Sequence, residues 1–158
     1  MSYNSSQIFN HQSKQESCNS QVINTTEQLI SGSEIIYTPE ANTDFVVYEF
    51  SFCQTYHGVH TKQHGSYYLQ TGSLGGNYEE VEGYTCHFGC WQQSGRDLKN
   101  ICFIIPSWEG PKKLRITGDT YDSDRTYKIH ETWGWGSDIS DHRSYSPSLE
   151  VYSIRNVD

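Results

Sequence analysis

From Phe45 to Gln54 the chain alternates between two faces: Val46, Tyr48, Phe50 and Phe52 point one way, Val47, Glu49, Ser51 and Cys53 the other. A period of two sustained over most of a strand's length predicts a β-strand with one buried face. Similar segments predict strands at Leu29–Tyr37, Ser66–Thr71, Glu82–Trp91, Ile101–Ile105, Lys113–Thr117, Thr126–Trp133 and Leu149–Ile154. Between them stand turn-forming runs: Thr71-Gly-Ser-Leu-Gly-Gly-Asn77, Ser94-Gly95, Glu109-Gly-Pro111, Gly118-Asp119, Gly136-Ser-Asp138 and Ser144-Tyr-Ser-Pro147. No intervening segment reads as a helix, which excludes parallel βαβ units. About eight short strands without helices make a sandwich or a barrel. The expected fold is all-β, an eight-stranded antiparallel jelly-roll sandwich.

Two features of the pattern point beyond a lone sandwich. In the Phe45–Gln54 strand, Val47 and Cys53 on the second face are poorly suited to water, as expected where an oligomer buries that face. Residues 1–26 are rich in Ser, Asn and Gln and carry few large apolar side chains: Tyr3, Ile8, Phe9, Val22 and Ile23. Such a segment cannot bury enough apolar surface to order itself alone. It reads as an N-terminal arm, followed by the jelly roll at 27–158. The arm is expected to be held by another chain, or else to pack as an edge strand on its own domain. The expected anchor and interface residues are Tyr3, Ile8, Phe9, Val22, Ile23 and Val47.

Composition supports the strand reading. Alanine occurs once, at Ala41, and methionine only as Met1, while Tyr, Ser, Thr, Gly and Val abound. Residues that favour helices are scarce and those that suit a pleated, half-buried surface are plentiful. With 158 residues, one domain with a core of its own is expected. The formal net charge of −8 argues against a nucleic-acid partner, which needs a basic patch to neutralise phosphates. No run approaches the ~20 apolar residues that span a bilayer. The first residues carry neither a basic patch nor an apolar run, so no secretory signal is expected, and disulfides are not expected either.

Candidate chemistry is thin. Cys86 and Cys90 are four apart, and on one face of a strand that places them about 13 Å apart. This is too far for a disulfide or a shared zinc ion, so the thiols read as small buried hydrophobes. His57, His60 and His64 lack a metal-binding jelly roll's His-x-His pairing. Asp119, Asp122 and Asp124 gather three carboxylates in one loop, a weak calcium candidate without the ordering of a calcium loop. No Gly-x-Ser-x-Gly or other nucleophile motif occurs, so no enzyme and no cofactor is expected. The aromatics are more informative. Trp108, Trp133, Trp135 and Tyr121 are the candidate ligand-binding residues, for a sugar platform or an interface. Core filling is the competing role for such rings.

One stretch carries a resemblance. Gly32-Ser-Glu-Ile-Ile-Tyr-Thr-Pro39 leads into the strand Val46-Val-Tyr-Glu-Phe50, and the chain closes with Ser146-Pro-Ser-Leu-Glu-Val-Tyr-Ser-Ile154. Over roughly residues 27 to 155 this resembles small virion structural proteins of marine tailed phages, especially those infecting cyanobacteria. The resemblance implies a tumour-necrosis-factor-like jelly roll packed as a homotrimer. It also implies a place in the virion, assembled in the host cytoplasm, with the major capsid protein or other virion proteins as partners. The chain departs from that pattern in its high cysteine count and in having no collagen-like or coiled-coil stalk ahead of the head. The missing stalk favours a capsid decoration or short head-fibre protein docked through the arm. The rival expectations are a receptor-binding head that grips host-surface glycan through the Trp and Tyr loops, and a cellular carbohydrate-binding or hydrolytic sandwich.

Overall fold

The computed structural model describes residues 5–56, 63–90, 97–121, 127–132 and 143–157. Among them there is no helix, and the strands form a sandwich of two antiparallel sheets. The first sheet contains β1 (Ser5–Gln15), β13 (Ser148–Val157), β5 (Phe45–Tyr56) and β8 (Asp97–Pro106), in that spatial order. Where β13 ends, β10 (Tyr127–Ile129) takes its place beside β5, and β2 (Gln21–Ile23) follows it. The second sheet places β9 (Lys112–Thr120) beside β6 (Gln63–Ser73), which pairs with β7 (Glu79–Cys90). On the other side of β9 lie β3 (Gln28–Leu29) and β4 (Ile35–Tyr37). A small pair, β11 (Glu131–Thr132) with β12 (Arg143–Ser144), stands apart.

The pairs β1–β13, β4–β9, β5–β8 and β6–β7 nest inside one another like one long hairpin rolled up. This is the arrangement of a jelly-roll-like sandwich. Seven of these eight strands fall on expected ones and the eighth, β1, lies in the segment expected as an arm; β2, β3, β10, β11 and β12 add two or three residues each. Two expected strands are broken. Leu29–Tyr37 is cut by a turn at Gly32 (φ 81°), leaving β3 and β4. Thr126–Trp133 is cut at His130 (φ 62°), leaving β10 and β11. A left-handed residue departs from the extended strand conformation, and at His130 the pairing on either side of it goes to different partners.

The core lies between the sheets. Val46, Tyr48, Phe50 and Phe52 of β5 face it without exposure, as the alternation predicts. They meet Ile101 of β8, Leu149 and Val151 of β13, and Tyr67, Leu69, Leu114 and Ile116 of the second sheet. Tyrosines fill this core because their hydroxyls find acceptors. Tyr48 donates to the Ser33 carbonyl and Tyr67 to Gln54 Oε1 at 3.0 Å. The hydrogen bonds remove the penalty that a buried unpaired hydroxyl would carry.

The N-terminal segment is built into the same sandwich. β1 runs antiparallel to β13 from Ser5↔Val157 to Gln15↔Ser148, with a bulge between Phe9 and Gln12 where Asn10 has φ 46°. Of the two expectations for the arm, the structure shows the edge strand on its own domain. The reason is backbone hydrogen bonding: β13 offers a free edge, and a polar strand can satisfy it without large apolar burial. Cys18 is also buried, and Ile23 sits in the core without exposure.

Candidate binding surfaces

The register of the first sheet fixes what its outer face presents. On β5, Phe45 and Val47 point outward because Val46 and Tyr48 point inward. Phe45 stands opposite Ile154 of β13 and Pro106 of β8, and Ile154 stands opposite Ile8 of β1. These four form one apolar row across four strands. The next row holds Tyr152, Val47 and Ile104, with the His11 ring edge-on to Tyr152 at 5.9 Å. Ile8 is 62% exposed, Ile104 57% and Phe45 39%. Beyond these rows the face turns polar, with Glu150 opposite Glu49, and His11 Nε2 lies 3.4 Å from Glu150.

The outer face of the second sheet is unlike it. Gln70 donates to Glu27 at 2.8 Å, Arg115 donates to Gln70 at 2.8 Å, and Tyr68 donates to Asp119 at 3.3 Å. Lys113 and Arg115 both lie over the Tyr78 ring, at 4.2 and 3.7 Å from its centroid. Burial and the neighbouring Glu34 carboxylate push the Tyr78 hydroxyl up to about 12. One side of the sandwich is thus mainly a connected polar surface, with Ile36 exposed on β4, and the other carries two apolar rows in which Ile8, Ile104 and Phe45 are open to water.

The expected anchor residues divide accordingly. Ile8 belongs to the exposed apolar row. Phe9 is half-buried under the Arg155 guanidinium, 4.8 Å from its ring centroid. Val22 is 48% exposed beside Lys128. Ile23 and Val47, expected at the anchor or interface, are buried within this chain: Ile23 in the core, and Val47 between Tyr152 and Ile104 in its row at 3% exposure. Tyr3 lies outside the described residues. The contributions of Phe45, Ile104, Ile154 and Pro106 were not among the expected interface residues. Their signal is present in the sequence as Phe45-Val-Val47 and Phe103-Ile-Ile105, runs that break the alternation and are apolar on both faces.

A second surface lies at the end of the sandwich where β5 begins and β8 ends. A cleft of about 560 Å³ opens between the β4–β5 loop, Pro39 to Thr43, and the β8–β9 turn, Ser107 to Gly110. Trp108 lines it, half-buried, with its ring edge-on to Tyr37 at 6.3 Å and the Lys112 ammonium 5.5 Å from its centroid. The loop is held from behind. Arg155 donates to the carbonyls of Asn42, at 2.8 Å, and Ala41. The Glu40 amide donates to Ser153 Oγ at 3.2 Å, and the Ser107 amide to the Asp44 carbonyl at 3.1 Å.

Of the expected ligand-binding aromatics, Trp108 lines this cleft. Tyr121 is 91% exposed at the far end of β9, about 26 Å away by strand rise. The structure does not bring the two together. Trp133 and Trp135 lie outside the described residues, as do Asp122 and Asp124 of the calcium candidate. Asp119 is described, and its carboxyl is raised chiefly by burial, with the Tyr68 hydrogen bond opposing. Among the described residues no group of three or more His, Cys, Asp or Glu side chains is placed to hold a metal ion. Tyr84, Cys86 and Phe88 pack together against the core, and burial pushes the Cys86 thiol up to about 11. No helix among the described residues is long and apolar enough to cross a membrane. In comparisons with known proteins, no family model and no curated protein matches the chain.

Proposed function

We propose that this chain is a structural component of a phage virion, a homotrimer that decorates or cements the capsid or forms a short head fibre. The observation that carries the oligomeric part is the outer face of β1, β13, β5 and β8. Two in-register apolar rows lie there, with Ile8, Ile104 and Phe45 open to water, while the outer face of the opposite sheet is mainly polar and exposes Ile36. A patch of this kind marks an interaction site on a soluble domain. Buried between copies it supplies the apolar centre of an interface, and the polar residues around it supply the rim. The viral part rests on the resemblance carried by Gly32–Phe52 and Ser146–Ile154.

In this reading the work is done by binding alone and the chain is not an enzyme. Its partners are copies of itself and the shell protein, not nucleic acid or a membrane. A trimer that bridges several shell subunits stabilises each of them by mass action. Its second and third attachments are intramolecular, so the whole binds more tightly than one contact would. The N-terminal segment contributes through β1, whose Ile8 opens the apolar row.

The deciding experiment counts copies of the chain per purified virus particle by quantitative mass spectrometry, alongside the solution mass of the isolated protein. A three-chain solution mass with hundreds of copies per particle supports decoration, and a few to a few dozen supports a fibre. A monomeric solution mass defeats the oligomeric reading, and absence from particles defeats the viral one.

A further inference from the structure

We propose that the cleft beside Trp108 binds a neutral pyranose, the common unit of saccharides. This goes beyond the structural role and holds whether or not the chain assembles on a particle. Its volume of about 560 Å³ falls in the ordinary range of small-ligand sites. Its lining has two characters. Trp108 and Pro39 present apolar surface, while Glu40, Asn42, Thr43 and Glu109 present acceptors and donors. A sugar ring has the same two characters, with C–H patches on its faces and hydroxyls around its edge. Carboxylates accept such hydroxyls in short, charge-assisted bonds.

The site is also built in advance. Thr43 closes a turn by donating through its amide and its hydroxyl to the Glu40 carbonyl. Arg155 grips the next two carbonyls, and Ser153 receives the Glu40 amide. A loop fixed from behind loses little freedom when a ligand arrives, so weak individual contacts suffice. Charge selects the ligand class. Among the described residues Glu40 and Glu109 are both in the lining, while the Lys112 ammonium lies over the indole ring and the Arg155 guanidinium is taken up by the Asn42 and Ala41 carbonyls. Two carboxylates repel acidic sugars and accept neutral ones.

The intact protein is titrated with D-glucose, D-galactose, D-mannose, N-acetylglucosamine and, as the acidic arm, N-acetylneuraminic acid, read by saturation-transfer NMR and calorimetry. At least one neutral sugar is expected to saturate the protein, and N-acetylneuraminic acid is not. Glu40→Gln and Glu109→Gln each keep the thermal midpoint and the solution mass while weakening that sugar by about fivefold or more, the loss of a charge-assisted acceptor. Trp108→Phe, which keeps a ring against Tyr37, weakens it further. The proposal is overturned if no neutral sugar binds, if the acidic sugar binds as well as the neutral ones, or if binding survives both glutamate substitutions.

Discussion

The hydroxyls of Tyr37 and Ser153 meet in the core at 2.8 Å and tie the two sheets to the N-terminal strand. The Glu40 amide donates to Ser153 Oγ, and Tyr37 donates to the Asn10 carbonyl at 2.8 Å. Ser153 therefore donates to Tyr37, and one chain of hydrogen bonds runs from the cleft loop through β13 and β4 to the bulge in β1. Such relays are cooperative, and each member left unpaired in the core carries a penalty.

Tyr37→Phe is accordingly expected to lower stability by about 1–2 kcal/mol, since it leaves the Ser153 hydroxyl proton without its acceptor and the Asn10 carbonyl without its donor. Denaturant unfolding measures the loss. Hydrogen exchange should show it first as reduced protection across residues 5–15, whose bulge is anchored by this bond. A variant with intact stability and unchanged exchange would remove the relay from the account of how β1 is held. Deleting residues 1–15 is expected to do more, because it also exposes the edge of β13.

Gly65 makes a second test of packing between sheets. A Cβ at this position would fall 2.8–3.0 Å from the ring and hydroxyl of Tyr127, which is fully buried and cannot withdraw. Gly65→Ala is expected to destabilise by roughly 1–3 kcal/mol through overpacking. Gly75→Ala serves as a contrast, since its Cβ would meet nothing and only its φ of 78° opposes the change. Midpoints from thermal unfolding of both variants decide whether the steric contact or the backbone dominates.

Much of this architecture was legible in the sequence because one-faced burial writes itself as alternation. Val46, Tyr48, Phe50 and Phe52 needed no structure to be placed in the core. What could not be read was pairing at a distance. The segment holding Gln7 and Asn10 has no apolar period, and it is a strand because β13, nearly 150 residues away, offers it hydrogen bonds. Ile23 looked like part of an arm because its neighbours are polar, yet a single large residue suffices to pin a short strand. The exposed rows were half-legible: Val47 signalled an apolar second face, but only the register shows Ile8, Ile154, Phe45 and Pro106 side by side. The Trp108 cleft joins two loops separated by more than sixty residues, and no local spacing announces it.

The apolar rows predict a separation between folding and assembly. Ile8→Glu and Ile104→Glu replace side chains that are 62% and 57% exposed, so each is expected to change stability by no more than about 0.5 kcal/mol. In an oligomer that buries this face, each places a carboxylate in the apolar centre and should weaken association at least tenfold. Sedimentation equilibrium across a concentration series reads this directly. Wild-type chain that sediments as one copy, or variants that assemble as well as wild type, would move the interface elsewhere.

His130 predicts how the fold responds to acid. Its side chain has no exposure, and its ring lies edge-on to Phe52 at 6.4 Å. Burial pushes the imidazole down to about 4, with the nearby Ser31 backbone opposing only in part. A histidine lowered in the folded state binds fewer protons there than in the unfolded chain, so acid favours unfolding. Its contribution is fully present above pH 6.5, falls as pH drops below that value, and amounts to a loss of roughly 3 kcal/mol by pH 4. Carboxylates also titrate near the lower end of this window, so the variant makes the assignment. His130→Asn keeps a residue that tolerates the left-handed backbone and removes the titrating ring. Urea midpoints between pH 7 and pH 4.5 should fall steeply in the wild type and much less in His130→Asn. Parallel slopes in the two proteins would show that the acid response comes from other groups.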